Sequence, residues 1–253
     1  MIRVVRAALL GTLVPAALAA QSVQFGQVLE HTSANNNCYP LNCGFSLGHP
    51  FYQQAYLGSV FGAGPVLITG ITFFGPPLVE DISNTVHRGP IGPGPVTVRI
   101  GTTTRTPWRL STDLASNIQG SLTDYGVFSF TNAIPAPSDA ITLNGGTNAF
   151  VSSSTGFTPF LFDPRGGRNL LLDITVTSSA WGFLASHFDS GVMGRAMNGP
   201  GPFVWPTQPW WDNGGLVTRF DYTPMRVVPE PGTIALLASG LVLLGAAVRR
   251  RSA

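Results

Sequence analysis

The chain has 253 residues, of which 10% are charged and 44% hydrophobic, with a formal net charge of +2. That hydrophobicity excludes a disordered chain, and 30 glycines with 21 prolines exclude an all-helical body without supplying the Gly-X-Y period of collagen. The positive charge belongs to the two ends: residues 21–228 hold 9 Arg, no Lys and 11 acidic residues, a net of −2, so no basic groove and no nucleic-acid partner are expected.

From the N-terminus, Arg3 and Arg6 precede an uncharged, mostly apolar run at residues 7–20 that contains Ala17-Leu18-Ala19. A basic start, a short apolar stretch and small residues at the exit describe a secretory signal peptide over residues 1–20, cut by signal peptidase after Ala19 or Ala20. Export through an oxidising compartment favours a disulfide between Cys38 and Cys43. The loop it closes is short, so its effect falls at the low end of the ~2–4 kcal/mol range. Neighbouring His31 and His49 complete no recognised zinc pattern, and no metal or cofactor is expected. Gly44-Phe45-Ser46-Leu47-Gly48 has the spelling of a nucleophile elbow, which needs a strand before the serine and a helix after it. A Cys-Pro loop precedes it and Pro50 follows, so no catalytic serine is assigned.

The body then shows period-two alternation. Strands are predicted over residues 66–74, around Val96, Val98 and Ile100, and over 127–131, 147–152 and 156–162. They continue with Leu170, Leu172, Ile174 and Val176, with residues 181–188, and with Leu216, Thr218, Phe220 and Tyr222. Leu110, Leu114 and Ile118 at four-residue spacing predict one short helix over about residues 111–118. Asp163-Pro164-Arg165-Gly166-Gly167 and Asn144-Gly145-Gly146 read as hairpin connections. Eight or more such strands predict an all-β, antiparallel two-sheet sandwich of jelly-roll type over residues 21–224.

Candidate chemistry in the body is sparse. His31, His49, His87 and His187 are widely spread, and only Glu30 and Glu80 among the body's carboxylates are glutamates. Asp189 and Asp212-Asn213 supply too few oxygens for a recognisable Ca²⁺ loop. Residues 203–213 are the exception, with Trp205, Trp210 and Trp211 beside Asp212 and Asn213. Flat indoles can stack on sugar faces while the polar neighbours bind hydroxyls; the alternative is a loop that buries its tryptophans.

The last segment, residues 225–253, has three parts. Val228-Pro229-Glu230-Pro231-Gly232-Thr233 is followed by an apolar run to residue 248 and by Arg249-Arg250-Arg251. The 17 residues 232–248 would make one transmembrane helix of about 25 Å, short against a hydrocarbon core of ~30 Å. Three terminal arginines keep that end cytoplasmic and leave the body outside. The prolines hold the chain extended before the helix. This tail resembles the PEP-CTERM sorting signal, also labelled an ice-binding protein C-terminal domain, a label that does not make the body an ice binder. The resemblance implies processing by an exosortase-type transpeptidase and delivery to the cell surface or matrix of bacteria that make exopolysaccharide. The body is similar to an uncharacterised group of secreted PEP-CTERM proteins in Phe51-Tyr52-Gln53-Gln54-Ala55-Tyr56, Ile68-Thr69-Gly70-Ile71-Thr72-Phe73, Pro159-Phe160-Leu161-Phe162-Asp163-Pro164 and Asn169-Leu170-Leu171-Leu172-Asp173. That likeness implies a β-rich extracellular domain and no activity.

The expected protein is therefore non-enzymatic and exported: a membrane intermediate with its body outside the cytoplasm, then a surface or matrix protein. Its expected partners are signal peptidase, an exosortase-type enzyme and the membrane, with extracellular polysaccharide as a candidate ligand. The alternatives are a carbohydrate-binding module using the 203–213 aromatics and, third, a secreted hydrolase with paired carboxylates.

Overall fold

Among the described residues most of the alternating runs form strands, but the run at 147–152 is strand only from Val151 and the run at 156–162 only from Phe160. The computed structural model describes residues 19–28, 36–37, 51–75, 94–131, 135, 139–176, 184–188, 191–198, 210–225 and 238–241. In chain order the strands are β1 (Gln21–Phe25), β2 (Asn36–Asn37), β3 (Phe51–Tyr56), β4 (Val66–Phe74), β5 (Pro95–Thr103), β6 (Gln119–Phe130), β7 (Ala140–Leu143) and β8 (Val151–Thr155). They continue as β9 (Phe160–Phe162), β10 (Asn169–Val176), β11 (Leu184–Phe188), β12 (Met193–Asn198), β13 (Trp210–Asp212), β14 (Gly214–Leu216) and β15 (Thr218–Pro224). A seven-stranded sheet has the order β13-β12-β3-β10-β5-β6-β8, and a five-stranded sheet has β1-β15-β4-β7 with β9 also on β4. A small third sheet runs β14-β11-β2. Every described pairing is antiparallel.

One core joins the two large sheets. Tyr52, Tyr56, Val98, Ile100, Phe128, Leu170 and Leu172 of the seven-stranded sheet pack in one cluster with Phe25, Ile68, Ile71, Phe220 and Tyr222 of the five-stranded sheet. At its centre Phe25, Tyr56 and Phe220 meet edge-on, with ring centroids 4.8–5.9 Å apart, a geometry that aligns positive ring edges with negative faces. Phe61 extends the cluster to Phe162 at 5.2 Å. β10 is buried on both faces, because Leu171 packs outward against Ala55, Leu110 and Ala196. The segment after β5 covers that outer face.

A buried amide ties the sheets together. Gln54, fully buried on β3, donates from Nε2 to the Leu216 carbonyl at 2.9 Å and accepts from the Leu216 N–H at 2.8 Å. It thus satisfies both backbone groups of one residue, as a neighbouring strand would. Tyr52 donates to Gln54 Oε1, and Tyr56 donates to Thr218 Oγ1 at 2.8 Å. Gly215 makes room: a Cβ there would lie 2.6 Å from Gln54 Cδ.

Three expectations need correction. The predicted helix over 111–118 is instead one short 3₁₀ turn, Leu114–Asn117, preceded by a separate turn at Pro107–Arg109. Side chains compete with the helical ladder here: Asn117 Oδ1 accepts from the Ser111 N–H, Asn117 Nδ2 donates to the Ser111 carbonyl, and Ser111 Oγ accepts from the Asp113 N–H. Leu110, Leu114 and Ile118 still share one apolar cluster, so their spacing marked a packing face. The 163–167 turn is no hairpin, because β9 pairs with β4 while β10 pairs with β3 and β5. The 144–146 turn likewise passes from β7 to β8 in the other sheet. Positive φ at Gly145, Gly166 and Gly167 permits these sharp corners. Among the described residues no helix is long and apolar enough to cross a membrane. Of the apolar run 232–248 only residues 238–241 are described, and they are helical; residues 1–18 lie outside the described residues.

Phe220→Ala removes a fully buried ring from the shared core. It should cost about 3–5 kcal/mol, read as a lower urea midpoint at unchanged m-value.

Candidate functional site

Most of the sequence-predicted site residues lie outside the described residues: Val228, Pro229, Glu230, Pro231, Gly232 and Thr233, Arg249, Arg250 and Arg251, Cys38 and Cys43, and Trp205. Gly44, Ser46, His31, His49, His87, Glu30, Glu80 and Asp189 lie outside them too. His187 is on β11, half-buried, with Nδ1 lacking a hydrogen-bond partner. Among the described residues no group of His, Cys, Asp or Glu is gathered as a metal site would need.

The second half of the aromatic segment is placed by β13. This edge strand pairs Trp210, Trp211 and Asp212 with Met197, Ala196 and Arg195 of β12. Alternation sends Asp212 and Trp211 to opposite faces. Asp212 turns to the core side and meets Arg195 in a two-pronged ion pair, Nε–Oδ1 at 2.9 Å and Nη2–Oδ2 at 3.0 Å. It also accepts from the Gly214 N–H at 2.8 Å. The Asp212 carboxylate is therefore committed within the fold. Beside this pair, burial pushes the Tyr52 phenol well above its ordinary range, with the Arg195 charge acting in the opposite direction. Trp211 turns to the outer face and is 49% exposed; Asn213 is half-buried.

Trp211 has neighbours on that face that the sequence reading did not single out. An open cleft of roughly 470 Å³ is lined by Thr104, Arg105, Thr106, Trp108 and Arg109. Its wall is the 3₁₀ turn Pro107–Arg109, which lies directly over β12 because Gly194 has no side chain. A Cβ at Gly194 would stand 2.1 Å from the Pro107 carbonyl oxygen and 3.0 Å from that of Asp212, so one glycine brings the turn and β13 together. Asn169 Nδ2 donates to the Arg105 carbonyl at 2.9 Å, which fixes the start of the segment to β10. Arg105 Nε and Nη2 donate to the Ser116 carbonyl and Oγ at 3.2 and 3.3 Å. Neither Arg105 nor Arg109 has a carboxylate at ion-pair distance among the described residues. Thr106 Oγ1 is buried with no partner.

A polar ladder beneath holds this segment in place. Arg99 Nη2 pairs with Asp173 Oδ1 at 2.6 Å, Gln53 Nε2 donates to Asp173 Oδ2 at 2.8 Å, and Asn117 Nδ2 donates to Gln53 Oε1 at 2.9 Å. The cleft is thus a fixed surface of one flat indole, two cationic forks and the exposed Thr104. Such a set can stack on a sugar ring and bind its carboxylate or sulfate substituents. Elsewhere, on the exposed corner after β9, hydrogen bonds from Arg165 lower the Asp163 carboxyl to about 2.

Comparison with known proteins bears on the tail. The PEP-CTERM protein-sorting motif matches residues 227–251. The match marks a chain sorted toward the cell surface by an exosortase-type system. No curated protein and no solved structure matches the chain.

Arg195→Met leaves Asp212 without its cation in a largely buried position. It should destabilise by about 3–5 kcal/mol, and the Arg195→Met/Asp212→Leu pair should lose less than the single change. Chemical denaturation of all three variants reads this, and a double variant weaker than the single one would contradict it.

Proposed function

We propose that this is a non-enzymatic protein of the cell surface or extracellular matrix, a two-layer jelly-roll-like sandwich delivered by its C-terminal tail and working within an exopolysaccharide-linked envelope. The sorting motif at residues 227–251 carries the reading. Its chemistry follows from the order of parts. The 232–248 run holds the chain in the bilayer as a short helix. Arg249, Arg250 and Arg251 keep its far end cytoplasmic. Pro229 and Pro231 deny the preceding backbone a helical ladder, so it stays extended where a membrane-embedded transpeptidase can grip and cut it. The N-terminal leader at residues 1–20 starts the same route through signal peptidase. Replacing Pro229 and Pro231 by Ala should keep the full-length chain in the membrane fraction of the producing cell. Intact-mass analysis of membrane, matrix and medium fractions checks this; equal release of both forms would overturn the reading.

A second reading has one specific observation in its favour: half-exposed Trp211 shares the outer face with the Trp108 cleft and its two arginines. On this reading the body binds an acidic polysaccharide. Trp108→Ala and Arg109→Ala should each weaken binding of a uronic acid polymer roughly tenfold, equivalent to ~1.4 kcal/mol. Tryptophan emission during titration measures it, and unchanged emission at millimolar sugar would end the idea.

A further inference from the structure

The two ends of the body leave it side by side. β1 and β15 are antiparallel neighbours, and Gln21 lies opposite Tyr222. The residue after signal-peptide cleavage and the last residues before the sorting tail therefore occupy the same end of one sheet. β4 begins at this end: Val66 pairs with Pro224, and the Met225 N–H donates to the Pro65 carbonyl at 2.8 Å. Six residues lie between Met225 and Gly232, so the seven Cα–Cα steps make a tether of at most about 25 Å. Before cleavage the leader ends one residue from β1, so on that side there is almost no tether.

The same end exposes large apolar side chains. Leu161 on β9, opposite Leu67, is 58% exposed. Met225 is 44% exposed, and Val60, on the 3₁₀ turn Gly58–Phe61 that leads into β4, is 37% exposed. Scattered apolar residues are ordinary on a protein surface. These three are grouped where both chain ends emerge. Local charge does not oppose an anionic surface: Asp163 is paired with Arg165 at 2.6 Å, and Arg168 is exposed with no carboxylate at ion-pair distance among the described residues.

We propose that this end of the body rests on the membrane surface, with Val60, Leu161 and Met225 at the boundary between lipid headgroups and acyl chains. The inference builds on the sorting-tail reading and adds the orientation of the folded body and the side chains that meet lipid. The opposite end of the sheet, where Ala140 pairs with Phe74, then stands about 26 Å away along β4, in water.

The test uses the full chain in vesicles of phosphatidylethanolamine and phosphatidylglycerol. With Cys38 and Cys43 changed to Ser, an environment-sensitive fluorophore is placed at Leu161→Cys or at Ala140→Cys. The label at 161 should shift to shorter wavelength and be quenched severalfold more by a headgroup-depth lipid quencher than the label at 140. Amide hydrogen exchange of the unmodified chain, with and without the bilayer, gives the same comparison without any substitution: residues 58–67 and 160–162 should gain protection, residues 140–143 should not. Equal accessibility at both ends in a chain that floats with the lipid overturns the orientation and leaves the tail reading standing. A chain that does not float with lipid overturns both.

Discussion

The primary amide of Gln54 is the point on which the architecture turns. Its two hydrogen bonds to Leu216 supply a backbone residue with the partners a neighbouring strand would offer. They do so in the middle of an apolar core, where an unpaired N–H or C=O would cost about 1–3 kcal/mol each. Leu216 ends β14, and two residues later β15 enters the five-stranded sheet. A side chain on one large sheet thereby sets where the central strand of the other begins. Tyr52, Tyr56 and Thr218 complete the arrangement with their hydroxyls, and the aromatic rings around them seal it from water.

This explains which strands could be read from sequence and which could not. β4, β5, β10 and β15 alternate apolar residues with polar or outward ones, and their positions follow from period two. β3 has Gln53 and Gln54 where a strand in a core should have apolar side chains, so the pattern breaks at the residues that hold the layers together. β12, with Gly194 and Arg195 at its centre, hides for a related reason: the glycine gives clearance to a turn from elsewhere, and the arginine is neutralised by a strand that follows later. The two glycine-rich turns show the limit of local chemistry. Asp163 to Gly167 specifies a tight reversal well, but the destination sheet is decided by distant pairing partners.

The candidate cleft was legible in half. Trp211 stood out as part of an aromatic run, and the fold leaves it half-exposed. Arg105, Trp108 and Arg109 do not stand out, because the arginines are scattered along the chain. A Trp-Arg pair three residues after another arginine, in a threonine-rich stretch, was the available signal. Only the close approach at Gly194 makes those residues neighbours of β13. The Asp212 carboxylate shows the converse: its position beside tryptophans suggests ligand contact, whereas its partner is Arg195.

The placement of β15 also has a mechanical consequence. A load drawn through the C-terminus enters the body at Pro224, on a strand flanked by β1 over five residue pairs and by β4 over seven. Hydrogen bonds in both ladders run across the strand axis. A tug along that axis strains them together in shear, rather than peeling them apart one after another. An edge strand in the same position would pass the tension to a single neighbour; β15, with a partner on each side, divides it between two.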